Sequence, residues 1–283
     1  MVGGIEIVVL AALVGVAAIA LWPRLDQRQS IERWAQESGL QLTADNRALV
    51  ASYLRRTRAF RLVGGLLGLL LPWIVVQSAL PKPFDFSLFR ALLGYLLGAL
   101  VAELSFHRPQ GEFPSASLVP RSVSDYLAHW YRIALPVCAS LGLGLTLWYN
   151  ALPDRDSAGP DAPPPTVVLV VMIVGVWLTV ELFQRYIVAR RQPAVNLDLV
   201  RADDAIRSAS IHALAGAGLA LELLVASVML GEVAGTFKNS LVAWSLGSTA
   251  VVLFGCALGS WIHLTRPFQR RELHPPGGEA LVR

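Results

Sequence analysis

Seven long apolar stretches run through this chain, and its positive charge is gathered into alternate gaps between them. A helix needs about 20 apolar residues to cross a bilayer core. Residues 3–22, 62–80, 88–106, 130–152, 166–188, 209–230 and 241–264 supply such runs. The runs are continuous rather than short and alternating, which predicts helices and not barrel strands. Only 16% of the residues are charged, against about 25% in a soluble domain. The expected architecture is an all-α polytopic transmembrane bundle of seven spans over residues 1–265. An inner amphipathic segment at 25–60 and a tail at 266–283 complete it.

Orientation follows from the loops. Of the 24 Lys and Arg, 20 fall in residues 23–61, 107–132, 185–208 and 266–283; Lys82, Arg90, Arg155 and Lys238 are the remainder. Positive residues stay on the cytoplasmic side, so the N-terminus is expected outside and the C-terminus in the cytoplasm of a bacterial plasma membrane. Segment 3–22 has no basic stretch before it and a basic block after it, which reads as a reverse-oriented anchor rather than a cleaved signal. The basic pI of about 9.4 thus reflects topology, and no nucleic-acid partner is expected. Trp22, Trp130 and Trp261 fall near the inner boundary and Trp73, Trp148 and Trp244 near the outer one, as an aromatic belt requires. Cys138 and Cys256 lie inside spans, outside any disulfide or zinc pattern.

The outer connections 81–87, 153–165 and 231–240 are short. The inner segments are longer. Residues 25–38 read as an amphipathic helix with Ile31, Trp34 and Ala35 on one side and Gly39 as its stop. Thr43 is placed to cap a second helix through Ala48, Leu49, Tyr53 and Leu54. Both are expected along the inner membrane surface with Arg toward lipid headgroups. ValAlaGluLeu at 101–104 and ThrValGluLeu at 179–182 form a faint repeat, which suggests three parallel helical hairpins plus one helix; interface chemistry alone also produces such matches. Pro72 and Pro136 are expected to kink the second and fourth spans. Small-residue ridges at Gly64/Gly68, Gly94/Gly98, Gly255/Gly259 and Ala209/Ala213/Ala217 predict close packing between helices of the one chain.

Several chemistries are excluded. There is no GxxxxGK[ST], so the chain carries no P-loop ATPase. Seven spans with an outside N-terminus match rhodopsin topology, but no span holds a Lys for a retinal Schiff base. HExxH, GxSxG and intramembrane GxGD motifs are absent. No cofactor or metal is implied. The remaining signals are ionisable residues within spans, which carry a functional expectation because burying charge in lipid is costly. Glu222 is the deepest, with no basic residue at similar depth. It reads as a substrate or proton site, either protonated or hydrogen-bonded inside the bundle. Glu103 and Glu181 lie one turn inside the inner boundary, each followed by an Arg (Arg108 and Arg185). Glu181 and Arg185 have the i,i+4 spacing of an ion pair. His107, His129, His212 and His263 fall near inner span ends, where with Glu103 and Glu181 they would line a polar pocket if they converged. Glu181 and Arg185 also match part of the glutamate motif of intramembrane CAAX-type proteases, but the paired glutamates and His motifs of those enzymes are missing.

GlyLeuGlnLeuThrAlaAspAsnArg at 39–47 and ArgAlaAspAspAlaIleArgSerAlaSerIleHisAlaLeuAlaGlyAlaGly at 201–218 resemble segments of an uncharacterised family of polytopic membrane proteins from high-GC bacteria. Some of its members are encoded with ABC-type ATPases. That resemblance implies a transport-associated, permease-like subunit whose inner loops 25–60 and 108–128 meet a separate cytoplasmic ATPase or another membrane subunit. A scaffold or regulatory subunit of another complex, and a lipid-modifying enzyme using the inner Glu and His residues, are the alternatives.

Overall fold

The computed structural model describes residues 27–75, 87–105, 121–152, 166–190, 197–238 and 240–264. The expected span at 3–22, the tail, most of the outer connections, His107 and Arg108 lie outside them. The described chain forms seven helices and no strand: α1 (Gln27–Glu37), α2 (Ala44–Val75), α3 (Ser87–Ser105), α4 (His129–Ala151), α5 (Thr166–Ala189), α6 (Leu197–Thr236) and α7 (Ser240–Leu264), with a 3-10 turn at Val123–Asp125 before α4. Helices α4 to α7 include four segments long and apolar enough to cross a membrane, which fits an integral membrane protein. Helices α2 and α3 include the described parts, 62–75 and 88–105, of the runs expected as the second and third spans.

Gly39 stops α1 as its position predicts. It adopts φ +65°, where a Cβ would be strained. The Leu40 amide bonds to the Ala35 carbonyl and the Gly39 amide to that of Gln36, the pairing of a Schellman end. Thr43 precedes α2, but its hydroxyl has no partner among the described residues. Asn46 does the capping instead: its Oδ1 accepts from the Thr43 amide at 2.9 Å and its Nδ2 donates to the Gln41 carbonyl. Helix α2 then runs unbroken into the apolar region.

Ile31, Trp34 and Ala35 are all buried, but not against lipid. Ile31 and Trp34 pack on Leu49, Val50, Tyr53 and Leu54 of α2 and on Ala202 and Ile206 of α6. The apolar side of the α1–α2 pair thus forms a small second core. It forms because α6 begins at Leu197, twelve residues before the expected span, and offers α1 a protein surface. At 1.5 Å per residue its 40 residues span about 60 Å, roughly twice a bilayer core.

Helix α6 is the axis of the bundle, with α2, α3, α4, α5 and α7 packed on it. Its apolar window is 94% buried, that of α7 11%. Large apolar side chains such as Val137, Leu147, Val171, Leu182, Val251 and Val252 point outward. An exterior this apolar suits hydrocarbon rather than water. Trp130, Trp148 and Trp244 are exposed near helix ends, where an interfacial belt would place them.

Helices α2 and α3 pair antiparallel. Gly64 of α2 meets Gly94 and Gly98 of α3, Gly68 meets Gly94 and the Arg90 backbone, and Gly98 meets Phe60. The backbones touch, so the two Gly ridges do pack as their spacing predicts. The Gly255/Gly259 ridge does not. Among the described residues nothing lies within 4 Å of a Cβ at either position, because that face of α7 is turned away from α6.

These contacts separate two outwardly similar substitutions. A Cβ at Gly94 would land on the Gly64 carbonyl oxygen, so Gly94→Ala is expected to cost about 1–3 kcal/mol by overpacking. Gly255→Ala, which meets no described atom and gains helix propensity, should leave the thermal unfolding midpoint of the detergent-purified protein no lower than wild type.

Candidate functional site

Polar residues concentrate at the Arg-rich end of the bundle, where α2, α3, α5 and α6 meet. Arg207 and Asp203 stand one turn apart on α6, and both are fully buried. Arg207 Nε donates to Asp203 Oδ2 at 2.7 Å. Its Nη1 donates to the carbonyls of Ile187 and Val188 and its Nη2 to that of Arg190. Those carbonyls end α5, where a helix has no backbone donors left to offer. A cation also complements the negative end of the helix dipole. Arg56 of α2 similarly donates to the Ser105 carbonyl at the end of α3.

Glu103 of α3 is buried beside this cap. Arg108, next along the chain, lies outside the described residues; Arg190 Nη2 lies 2.7 Å from Oε2. The Ser210 hydroxyl lies against Oε1 and 2.9 Å from the Ile206 carbonyl. With its one hydrogen so engaged, Ser210 accepts from the Tyr53 hydroxyl of α2 at 3.1 Å. Glu103 thus ties four elements together with both oxygens occupied. Asp204, next along α6, holds the segment before α4 through Arg121 at 3.2 Å and the Tyr126 hydroxyl at 3.1 Å. Burial, then the Asp204 carboxylate, raises the Tyr126 phenol above its ordinary value.

The other expected residues are dispersed. Glu181 pairs with Arg185 at 2.7 Å on an exposed face, as the i,i+4 spacing predicts. It shares neither of Glu103's partners, so the residues of the faint repeat occupy unlike environments. His129 and His263 are exposed. His212 is buried, with Nδ1 2.8 Å from the Ser208 carbonyl of its own helix. Among the described residues no three His, Cys, Asp or Glu side chains assemble as a metal site.

Glu222 stands apart from the network. About 22 Å of helix separates it from Arg207. It is 1% exposed, and among the described residues neither carboxyl oxygen has a hydrogen-bond partner. The expected alternative of a hydrogen bond inside the bundle is therefore not seen. Cys138 of α4 lies within electrostatic reach of it. Polar groups in a membrane interior are ordinarily satisfied within the protein, so an unpaired carboxyl there is chemically available to a proton or a cation.

The residues that sequence reasoning missed are Arg207, Arg190 and Arg56, which entered only as topology charges. One signal was legible: Asp203 and Arg207 have i,i+4 spacing just ahead of an apolar run. No family model, no curated protein and no solved structure matches the chain.

Removing one member of a buried pair strands the other. Arg207→Ala is expected to cost about 3–5 kcal/mol and lower the thermal midpoint sharply. Arg207→Lys should recover only part of this, since an ammonium lacks the planar fork that serves three carbonyls and a carboxylate at once. The Tyr126 contact has a pH signature. Its neutral phenol is favoured in the folded protein, so its stabilisation of about 1 kcal/mol is complete below the ordinary phenol value near pH 10. It is lost as pH rises through the higher folded value. The stability difference between wild type and Tyr126→Phe should shrink over that alkaline range in an unfolding series.

Proposed function

We propose that this chain is a transport-associated, permease-like subunit of a bacterial plasma membrane, with no ATPase of its own, in which Glu222 accepts a proton or cation within the bundle. The observation that carries the reading is the Glu222 carboxyl on the axial helix, without a partner among the described residues, whose other buried carboxylates are engaged. An intramembrane ionisable residue points to an ion or substrate path. Leaving it unpaired costs stability, and such costs persist at sites that use them. The Arg distribution supports a cytoplasmic Arg-rich end. There the α1–α2–α6 core offers a folded surface to a separate nucleotide-binding partner. The lipid-enzyme alternative gains no support from Glu103, whose oxygens are taken up by Arg190 and Ser210.

A hydrophobic carbodiimide, which modifies carboxylic acids in apolar surroundings, is expected to label Glu222 in native membranes; peptide mapping locates the adduct. Glu222→Leu should abolish labelling and raise the thermal midpoint, because removing an unsatisfied buried polar group is worth about 1–3 kcal/mol. Labelling confined to other carboxyls, or a destabilised Glu222→Leu, would identify Glu222 as structural and remove the basis of the proposal. Mild-detergent purification tests the subunit claim separately: a nucleotide-binding protein should accompany the chain in stoichiometric amount.

A further inference from the structure

Between α1 and α2, at the Arg-rich end, lies a cavity of about 240 Å³. Ser30 and Arg33 line it from α1, and Tyr53, Thr57, Arg58 and Arg61 from α2. Tyr53 and Thr57 are buried and form its floor; Arg33 and Arg58 are exposed at its mouth. The hydroxyls of the floor are engaged, Tyr53 with Ser210 and Thr57 with the Tyr53 carbonyl. The guanidinium groups are less completely used. Arg58 donates one nitrogen to the Ser30 hydroxyl, which leaves the Ser30 hydrogen free to point elsewhere. Arg61 lies over the Tyr95 ring of α3, 5.7 Å from its centroid, and hydrogen-bonds to Tyr95, but its Nε is buried with no hydrogen-bond partner among the described residues.

The charge is unbalanced. Three arginines line the space, and among the described residues Glu37 is the one carboxylate lining it. Glu103 lies within electrostatic reach of Arg61, but its carboxylate is bonded to Arg190 and Ser210. Glu32, on α1, pairs with Arg47 at the surface. Burial, then the Arg61 cation, pushes the Arg58 guanidinium below its ordinary value. Like charges held together around an open space are stabilised by an anion placed among them, and guanidinium forks suit phosphate oxygens. The volume falls short of the about 300 Å³ at which drug-sized ligand sites begin. It admits a phosphate with a small head, not a nucleotide.

We infer that this cavity is a binding site for a phosphate monoester or diester, with Arg33, Arg58 and Arg61 as its donors and Ser30 as an accessory. The group comes either from an anionic lipid headgroup or from a small soluble phosphate. Arg61 ends the basic segment and the apolar run starts at Leu62, so the cavity sits at headgroup level and favours the lipid.

The full chain, delipidated in neutral detergent, is titrated at constant ionic strength with short-chain phosphatidylglycerol, short-chain phosphatidylcholine, inorganic phosphate and chloride, and the thermal midpoint is followed. Phosphatidylglycerol should raise it saturably. Arg33→Gln and Arg58→Gln, both at the exposed mouth, should weaken that response about tenfold each, the loss of one charge-assisted bond. Arg55→Gln, an exposed arginine outside the cavity, should not. The ligand-free midpoints of the variants separate a lost site from a lost fold. A response to phosphatidylglycerol well above that to phosphate supports the lipid source, and an equal response supports a soluble phosphate. No saturable response, one matched by chloride, or one unchanged in both mouth variants overturns the site.

Discussion

Buried charge at the Arg-rich end of α6 has to be neutralised from within the protein, and that requirement organises the helices around it. In a low-dielectric interior an unpaired guanidinium costs several kcal/mol, and a paired one is tolerated only when its remaining donors are also used. Arg207 meets this condition by taking Asp203 and three carbonyls at the end of α5. The solution fixes where α5 stops relative to α6. Arg190, just past that stop, is then in place to reach Glu103. Glu103 in turn draws in Ser210 and, through it, Tyr53 of α2. Each link depends on the one before it.

Away from that end, packing takes over. Helices α2 and α3 approach until their backbones touch at glycines, the close contact by which helices associate when lipid offers no hydrophobic gain. Ser227 of α6 bonds to the Ala250 carbonyl of α7, and Gly216 admits the Leu264 side chain. Glu222 is the exception along this axis, a polar group that the packing of the described residues encloses without satisfying. The contrast with Glu103, equally buried and fully engaged, is what gives Glu222 its chemical interest.

Local features were legible in the sequence because their partners are near in the chain. The Glu181–Arg185 pair, the stop at Gly39 and the buried side of α1 at Ile31, Trp34 and Ala35 all depend on helical spacing within a few residues. Partners distant in the chain were not legible. Glu103 and Arg190 are separated by two whole expected spans, 130–152 and 166–188, and no rule of spacing picks out Arg190. Orientation counting treats every loop arginine as equivalent, whereas burial divides them. Arg55 is exposed, Arg207 completely enclosed.

The sequence by itself determined that this is an all-helical chain, with apolar segments long enough to cross a membrane and arginine gathered in alternate connections. Composition and length suffice for that, because a bilayer demands about 20 apolar residues whatever surrounds them. Only the tertiary structure decided which helix is central. The apolar runs of α5, α6 and α7 look alike as sequence, yet α6 is enclosed and α7 faces outward. Lipid tails and a protein interior are equally apolar, so hydropathy cannot tell one from the other. The difference emerges only when helices are packed, and with it the places where a buried Arg finds carbonyls and a buried Glu finds nothing.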